Sequence, residues 1–164
     1  MSDRKAIFHK AEAMMQEMGF AIANKDDSRP WGGFLVIDES QAAAFIQAFF
    51  PHLTLDEVMI GNKLSPKILI VGPHKRLSWQ YHFRRAELWR VVEGPVAVAI
   101  SPTDQQHEPQ VFQSGDIITL KKGERHRLIG LDSWGVVAEI WQHTEPAHPS
   151  DEEDIVRLQD DFGR

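Results

Sequence analysis

The second half of this chain is a succession of short apolar runs, and no other feature limits its fold so tightly. From Lys67 onward come KILIVG, RLSWQYHF, ELWRVVEG, PVAVAIS, DIITL, HRLIGL and WGVVAEIW, punctuated by Gly and Pro. Runs of this length read as strands rather than helices. Short strands at such even spacing indicate an antiparallel sandwich or barrel. The first third has a different texture. Ala6, Ile7, Ala11, Met14, Met15 and Met18 recur at helical spacing, which predicts an amphipathic helix over 4–19. Its Met-rich stripe would be a core face or a dimer contact. NKDDSRPWGG at 24–33 reads as a turn-rich connector and FLVID as a short strand. QAAAFIQAFF follows as a second helix, opened at Glu39-Ser40 and ended by Pro51. The expected organisation is one domain over 1–164: a helical extension with one short strand (1–58), a barrel core (64–143) and an acidic tail, helical or extended (144–164).

Composition narrows the function classes. The 164 residues suit a single substantial core. No apolar run approaches the roughly 18 residues that span a bilayer. The first twenty residues are broken by charge about every third position, unlike a signal peptide. Cysteine is absent, so neither disulfides nor thiol chemistry contribute. These features predict a cytoplasmic protein with no membrane partner. The net charge of -6, with acid concentrated in DEED at 151–154 and in Asp160 and Asp161, argues against a nucleic-acid partner. Basic residues gather instead at 84–90 and 121–127. They are either solvated strand and loop charges or a local pocket for a small anion.

Residues two apart in a strand point to the same face, so Gln80 and His82 project together. A short connection brings in Glu87 from the start of the next strand, and the segment from Gly115 through Gly123 delivers His126 from a distant one. Two imidazoles, a carboxylate and an amide oxygen form a mixed nitrogen–oxygen shell for one divalent metal ion, with Zn heading a group that includes Mn, Fe, Co and Ni. A neutral amide is the weakest of these ligands, and Gln80 could instead hydrogen-bond another ligand. His52, His74, His107, His143 and His148 read as surface or loop residues. The five tryptophans read as packing ahead of sugar-stacking platforms.

Gln80-Tyr81-His82-Phe83-Arg84-Arg85-Ala86-Glu87, six residues and Gly94 resemble the first cupin motif, with Gln80 standing where most cupins have histidine. Gly115, seven residues, Gly123, two residues and His126 resemble the second. Within cupins the chain is similar to the type II mannose-6-phosphate isomerase family over 29–164. The likeness rests on Arg29-Pro30-Trp31-Gly32, Leu77 to His82, Arg85 to Trp89, His126-Arg127-Leu128, and Asp154 to Leu158 running to Phe162-Gly163-Arg164. It departs where Phe83, Arg84 and Leu88 replace family histidines, Lys121 a proline and Gly130 an asparagine. The resemblance implies a mainly β, antiparallel jelly-roll barrel with N-terminal helices, and a homodimer.

The implied activity is aldose–ketose isomerisation of a small-molecule sugar phosphate. That reaction moves a proton between neighbouring carbons, so it needs charge stabilisation at oxygen and a base with a tuned pKa. Glu139 is the candidate base: it lies in the apolar run WGVVAEIW, where burial raises a carboxyl pKa, and it matches a family glutamate. Lys67 is the competing base or electrostatic partner. For both, a salt bridge at the barrel mouth is the structural alternative. Arg85 and Arg127, as substrate-binding residues, and Arg157, grouped with the catalytic ones, stand at family-matching positions as phosphate donors, since guanidinium suits phosphate. Arg157 implies a tail folded over the barrel mouth, the alternative being a tail salt bridge to Asp154 or Asp160. Two other readings remain beside the isomerase: a metal cupin of another class, oxygenase- or epimerase-like, and a non-catalytic sugar-binding cupin.

Overall fold

The computed structural model describes residues 3–164. In chain order the elements are α1 (Asp3–Glu17), β1 (Ile22–Arg29), β2 (Gly32–Ile37), α2 (Ala42–Phe49), α3 (Leu55–Val58), β3 (Lys67–Val71), β4 (Trp79–Tyr81), β5 (Arg85–Glu93), β6 (Val96–Ser101), β7 (Gln110–Phe112), β8 (Ile117–Leu120), β9 (Arg125–Gly130), β10 (Gly135–His143) and β11 (Val156–Gln159), with a 3-10 turn at Glu39–Gln41 before α2. The strands form two antiparallel sheets, β1-β2-β3-β10-β5-β8 and β11-β4-β9-β6-β7. The fold is therefore mainly β with N-terminal helices, as the spacing of the apolar runs predicts. Among the described residues no helix is long and apolar enough to cross a membrane.

Inside its β1 edge, the six-stranded sheet is buried on both faces. On one, Ile68, Ile70, Leu88, Ala138 and Ile140 pack with Phe8, Ala11 and Met15 of α1 and Phe45, Ile46 and Phe49 of α2. On the other, Leu69, Val71, Trp89, Val91 and Val137 meet Val96, Val98 and Leu128 of the second sheet. Double burial explains why the four residues after Lys67, ILIV, are all apolar rather than alternating. Each such side chain contributes about 1.5–3 kcal/mol when fully buried. The α1 stripe is rotated from its sequence reading: Phe8, Ala11 and Met15 face the core, while Met18 is exposed.

Two readings of the N-terminal third are corrected. Residues 24–29 are not a connector but most of β1, which pairs with β2, so this region holds two strands rather than one. β1 lies at the sheet edge with a mostly exposed face, so its polar sequence resembles a loop. The hairpin turn presses against its neighbours. A Cβ on Gly32, whose φ is +146°, would stand 2.0 Å from the Ile70 carbonyl oxygen, so only glycine fits there.

The tail folds back onto the barrel. β11 pairs with β4, placing Arg157 opposite Gln80. Two buried side chains fasten it. The Arg127 Nε donates to the Leu77 carbonyl (2.7 Å), Nη1 to Gln106 Oε1 (3.2 Å) and Nη2 to the Gln159 carbonyl (3.0 Å). His143, which reads as a surface or loop residue in the sequence, is 1% exposed. Its Nδ1 accepts the Ser150 backbone N–H at 3.0 Å, and its Nε2 lies 3.0 Å from Ser65 Oγ. The alternation of β10 turns this residue inward.

An imidazole that accepts at Nδ1 is neutral, and burial, reinforced by Lys63 and Arg85, lowers the His143 pKa from 6.5 to about 4. The unfolded chain thus binds more protons than the folded one between those values. His143 contributes stability that is complete above pH 6.5 and lost as pH falls toward 4. His143→Gln should flatten the loss of urea resistance over that range. Identical acid slopes in wild type and variant would remove His143 from the tail clamp.

Candidate metal centre

Alternation along β5 sends Arg85, Glu87 and Trp89 into the barrel, and β10 sends Glu139 and Trp141 to the same side. Glu87 stands opposite Trp141, while Glu139 lies between Trp89 and Lys67 in cross-strand register. From the other sheet, His126 on β9 faces Gln80 on β4, and His82 follows directly after β4. One ligand atom each from His82, Glu87 and His126 fall within 4.8 Å of one another, and all three residues are buried.

Hydrogen bonds fix how these groups point. The His82 Nδ1–H donates to the Asp154 carbonyl (2.7 Å) and the His126 Nδ1–H to the Glu124 carbonyl (3.1 Å). Both Nε2 lone pairs are thereby turned toward Glu87, 3.6 Å from Oε1 for His82 and 3.1 Å from Oε2 for His126. Burial, with Arg85 and His126 adding to it, lowers the His82 pKa to about 4, leaving the neutral imidazole that binds metals. Burial alone would raise the Glu87 pKa, but Arg85, His126 and His82 together hold it well below the usual carboxylate range. Glu87 Oε2 and His126 Nε2 are buried and make no hydrogen bond despite their proximity. Two convergent acceptor atoms without donors fit a shared cation. A divalent ion held by His82, Glu87 and His126 would satisfy both. Gln80 lines the same cavity, but its Oε1 accepts the Ser78 hydroxyl at 2.7 Å.

The remaining predicted residues take different places. Glu139 is 4% exposed and lines the cavity; its Oε2 accepts from Trp89 Nε1 (2.8 Å) and its Oε1 from Trp141 Nε1 (3.0 Å). Burial, then the Glu87 charge, pushes its pKa up to about 8 against the pull of Lys67 and Arg85. Lys67 pairs with Glu152 and stands over the Trp141 ring at 4.2 Å. Arg85 stacks on Trp141 at 3.6 Å, donates from Nε to Glu87 Oε1 (3.0 Å), and from Nη1 to Ser150 Oγ and the Asp151 carbonyl (both 3.0 Å). Arg157 lines the cavity and is exposed; neither Asp154 nor Asp160 pairs with it, Asp160 being engaged by Arg164. Arg127 lies outside this lining, its guanidinium engaged as the staple described above. The sequence assigns no role to Arg29, Glu152 or Arg164, packing to Trp31, and only the alternative tail salt bridge to Asp154, although all but Glu152 lie in family-like stretches. Asp154 orients His82 and accepts from the backbone N–H of Phe83 and Arg84 (2.9 and 3.0 Å) and from Ser150 Oγ (2.6 Å).

Protein stripped with EDTA and reloaded should carry about one divalent ion per chain by elemental analysis, since a site of this kind loses its affinity with a strong ligand. His82→Ala and His126→Ala should abolish loading. Gln80→Ala should only weaken it, because its amide oxygen already has a donor in Ser78. Full occupancy in His126→Ala would overturn the ligand set.

Comparison with known proteins places this geometry. The sequence profile described as mannose-6-phosphate isomerase C-terminal matches residues 38–160, which include every strand from β3 to β11. A mannose-1-phosphate guanylyltransferase of Salmonella montevideo is 25% identical over 144 residues, covering 87% of this chain and 24% of its own length. Another, from Salmonella typhimurium, is 27% identical over 118 residues, covering 72% and 23%. The chain thus spans about a quarter of the length of the curated relatives it matches. Among solved structures, the capsular polysaccharide assembling protein CapF of Staphylococcus aureus superposes with a TM-score of 0.55 at 13% identity, covering 85% of this chain and 34% of its own. Hazelnut (Corylus avellana) vicilin does so at 0.53 and 17%, covering 80% and 35%. At such identities the structures speak for the fold alone. The profile match covers most of the chain, and the chain belongs to the mannose-6-phosphate isomerase C-terminal family of cupin domains.

Proposed function

We propose that this chain is a metal-dependent sugar-phosphate isomerase that interconverts an aldose and a ketose, of the mannose-6-phosphate isomerase type. The observation that carries the reading is Glu139: a buried carboxyl whose pKa is raised to about 8, in the cavity that also holds Glu87. General acid–base catalysis is most effective when the pKa lies near the working pH, and Glu139 has been moved there. A divalent ion held by His82, Glu87 and His126 would supply Lewis-acid polarisation of the sugar carbonyl.

The chain's own residues supply the rest. Trp89 and Trp141 hold the Glu139 carboxyl by its two oxygens, fixing its plane while each oxygen keeps a second lone pair to take a carbon-bound proton. Lys67 serves as an electrostatic partner rather than the base, because its Nζ is engaged by the Glu152 carboxylate and stands over the Trp141 face. Arg85 Nη2 lies 3.3 Å from His82 Nε2 and donates to it. Once that nitrogen binds a cation, this N–H is free to bind substrate. Arg157, exposed at the cavity and free of the tail salt bridge, is the phosphate contact.

One feature favours the non-catalytic sugar-binding alternative: both Glu139 oxygens are already hydrogen-bonded, as in a structural carboxyl. Solvent-deuterium exchange into a panel of aldose and ketose phosphates, with several metals, separates the two. The isomerase should exchange label, and Glu139→Gln should lower turnover by about 10²–10⁴-fold while metal binding and melting are retained. Early melting with unchanged turnover would make Glu139 structural. No exchange with any sugar phosphate or metal would favour the binding protein.

Arg157→Ala gives a second measurement. It should raise KM for a phosphorylated sugar far more than for the free sugar, by an amount matching about 1.5–3 kcal/mol for a charged hydrogen bond. Equal effects on the two would remove Arg157 from phosphate recognition.

A further inference from the structure

Three arginines reach the cavity from separate parts of the chain with donors to spare. Arg29 ends β1, Arg157 lies on β11 and Arg164 follows it, and all three line the cavity of Glu87 and Glu139. Of the other cations there, Lys67 is committed to Glu152, and Arg85 uses Nε and Nη1 on Glu87, Ser150 and Asp151, which leaves only the Nη2 that faces His82. Arg29 uses its Nε on Asp26 (2.9 Å) and rests 5.6 Å from the Phe34 ring centroid, which leaves both terminal nitrogens. Arg164 uses Nε and Nη2 on Asp160 (2.8 and 3.1 Å), which leaves Nη1. The Arg157 side chain makes no hydrogen bond or ion pair among the described residues.

Trp31 adds an independent sign. It is 5% exposed and lines the same cavity, and its indole Nε1 is buried without an acceptor. An indole nitrogen can only donate, so its missing partner must offer an oxygen or another acceptor. Arg29 and Trp31 are separated only by Pro30, so one turn delivers both. That turn is held in place, since the Gly32 backbone approaches the Ile70 carbonyl too closely for any side chain. Acids in the lining do not consume this set: Glu87 and Glu152 are paired with Arg85 and Lys67, and Glu139 with two indoles.

We propose that Arg29, Arg157 and Arg164, with the Trp31 indole, form a phosphoryl subsite that takes the dianionic end of a phosphomonoester and shares no residue with the metal centre. Guanidinium groups meet phosphate oxygens through paired N–H donors, and the indole adds one neutral donor at a fixed position. The assignment rests on the sugar-phosphate reading and extends it to residues of the β1–β2 turn and the end of the tail.

Equilibrium dialysis of labelled inorganic phosphate against the metal-loaded full chain tests it. Arg29→Gln and Arg164→Gln should each weaken phosphate binding by about 10–100-fold, the loss of one or two charge-assisted hydrogen bonds. Metal content and melting temperature should stay at wild-type values. Trp31→Phe keeps the ring and removes the donor, and should weaken binding by about fivefold. Wild-type phosphate affinity in either arginine variant, or no binding by the wild type at millimolar phosphate, overturns the subsite; unchanged affinity in Trp31→Phe overturns the part given to the indole. Because dialysis needs no turnover, the outcomes separate. Absent deuterium exchange with these phosphate losses intact would sink the isomerase reading alone, whereas exchange with unaltered phosphate binding in the variants would sink the subsite alone.

Discussion

Glu87 is 2% exposed and carries its charge inside a barrel whose other inward residues include Val, Leu and Trp. An uncompensated ion in such a place costs several kcal/mol, so the surrounding structure is built to answer it. Arg85 answers from its own strand, while the neutral imidazoles of His82 and His126 converge on the same carboxylate from the opposite sheet. The commitment then spreads. With its Nε on Glu87, Arg85 donates from Nη1 to Ser150 and Asp151, which holds the loop after β10 against the barrel. The same loop supplies the Asp154 carbonyl that fixes His82. Docking of the tail and pre-organisation of the candidate metal centre are therefore one hydrogen-bonded unit. A change that frees the loop also loosens a ligand.

How much of this was legible in the sequence depends on whether a residue's role is local. The strands were readable because each apolar run is bounded by Gly or Pro, and the cluster of His82, Glu87 and His126 because a strand's period of two and a recurring motif both point to it. β1 was not readable, since an edge strand with one exposed face carries the composition of a loop. His143 and Asp154 were hidden for another reason: their partners are supplied by a loop and turns whose docking no spacing rule reports. Arg127 shows the limit of motif reasoning. An arginine beside a ligand histidine reads the same whether it faces substrate or staples the tail, and here its donors go to Leu77, Gln106 and Gln159.

Two carboxyl groups on adjacent strands have been driven in opposite directions. Glu87 sits among Arg85, His82 and His126 and is held ionised, whereas burial and the Glu87 charge push Glu139 up to about 8. One fold thus prepares a permanent anion to hold a cation and a neighbouring acid that gains and loses a proton near neutrality. The division follows from register. Arg85 shares a strand face with Glu87 and forms its ion pair, whereas Glu139 lies opposite Trp89, two residues from Trp141, and takes its hydrogen bonds from those two indoles.

Burial of charge does not by itself mark function here, because Arg127, Asp154 and His143 are as buried as the cavity residues and are saturated by protein partners. What separates the two groups is satisfaction. Among the described residues, Trp31 Nε1, Arg84 Nε, Glu87 Oε2, His126 Nε2 and Thr144 Oγ1 are buried without a hydrogen bond. Three of these five belong to the cavity or to the candidate metal centre, which meets it at Glu87. A folded chain leaves such groups unpaired at a cost, and it keeps them where something outside the chain completes them. The acceptors Glu87 Oε2 and His126 Nε2 call for a cation, and the donor Trp31 Nε1 calls for an oxygen. Those complementary deficits, joined at Glu87, are the ones that the proposed substrate, an anionic sugar phosphate beside a metal ion, would fill.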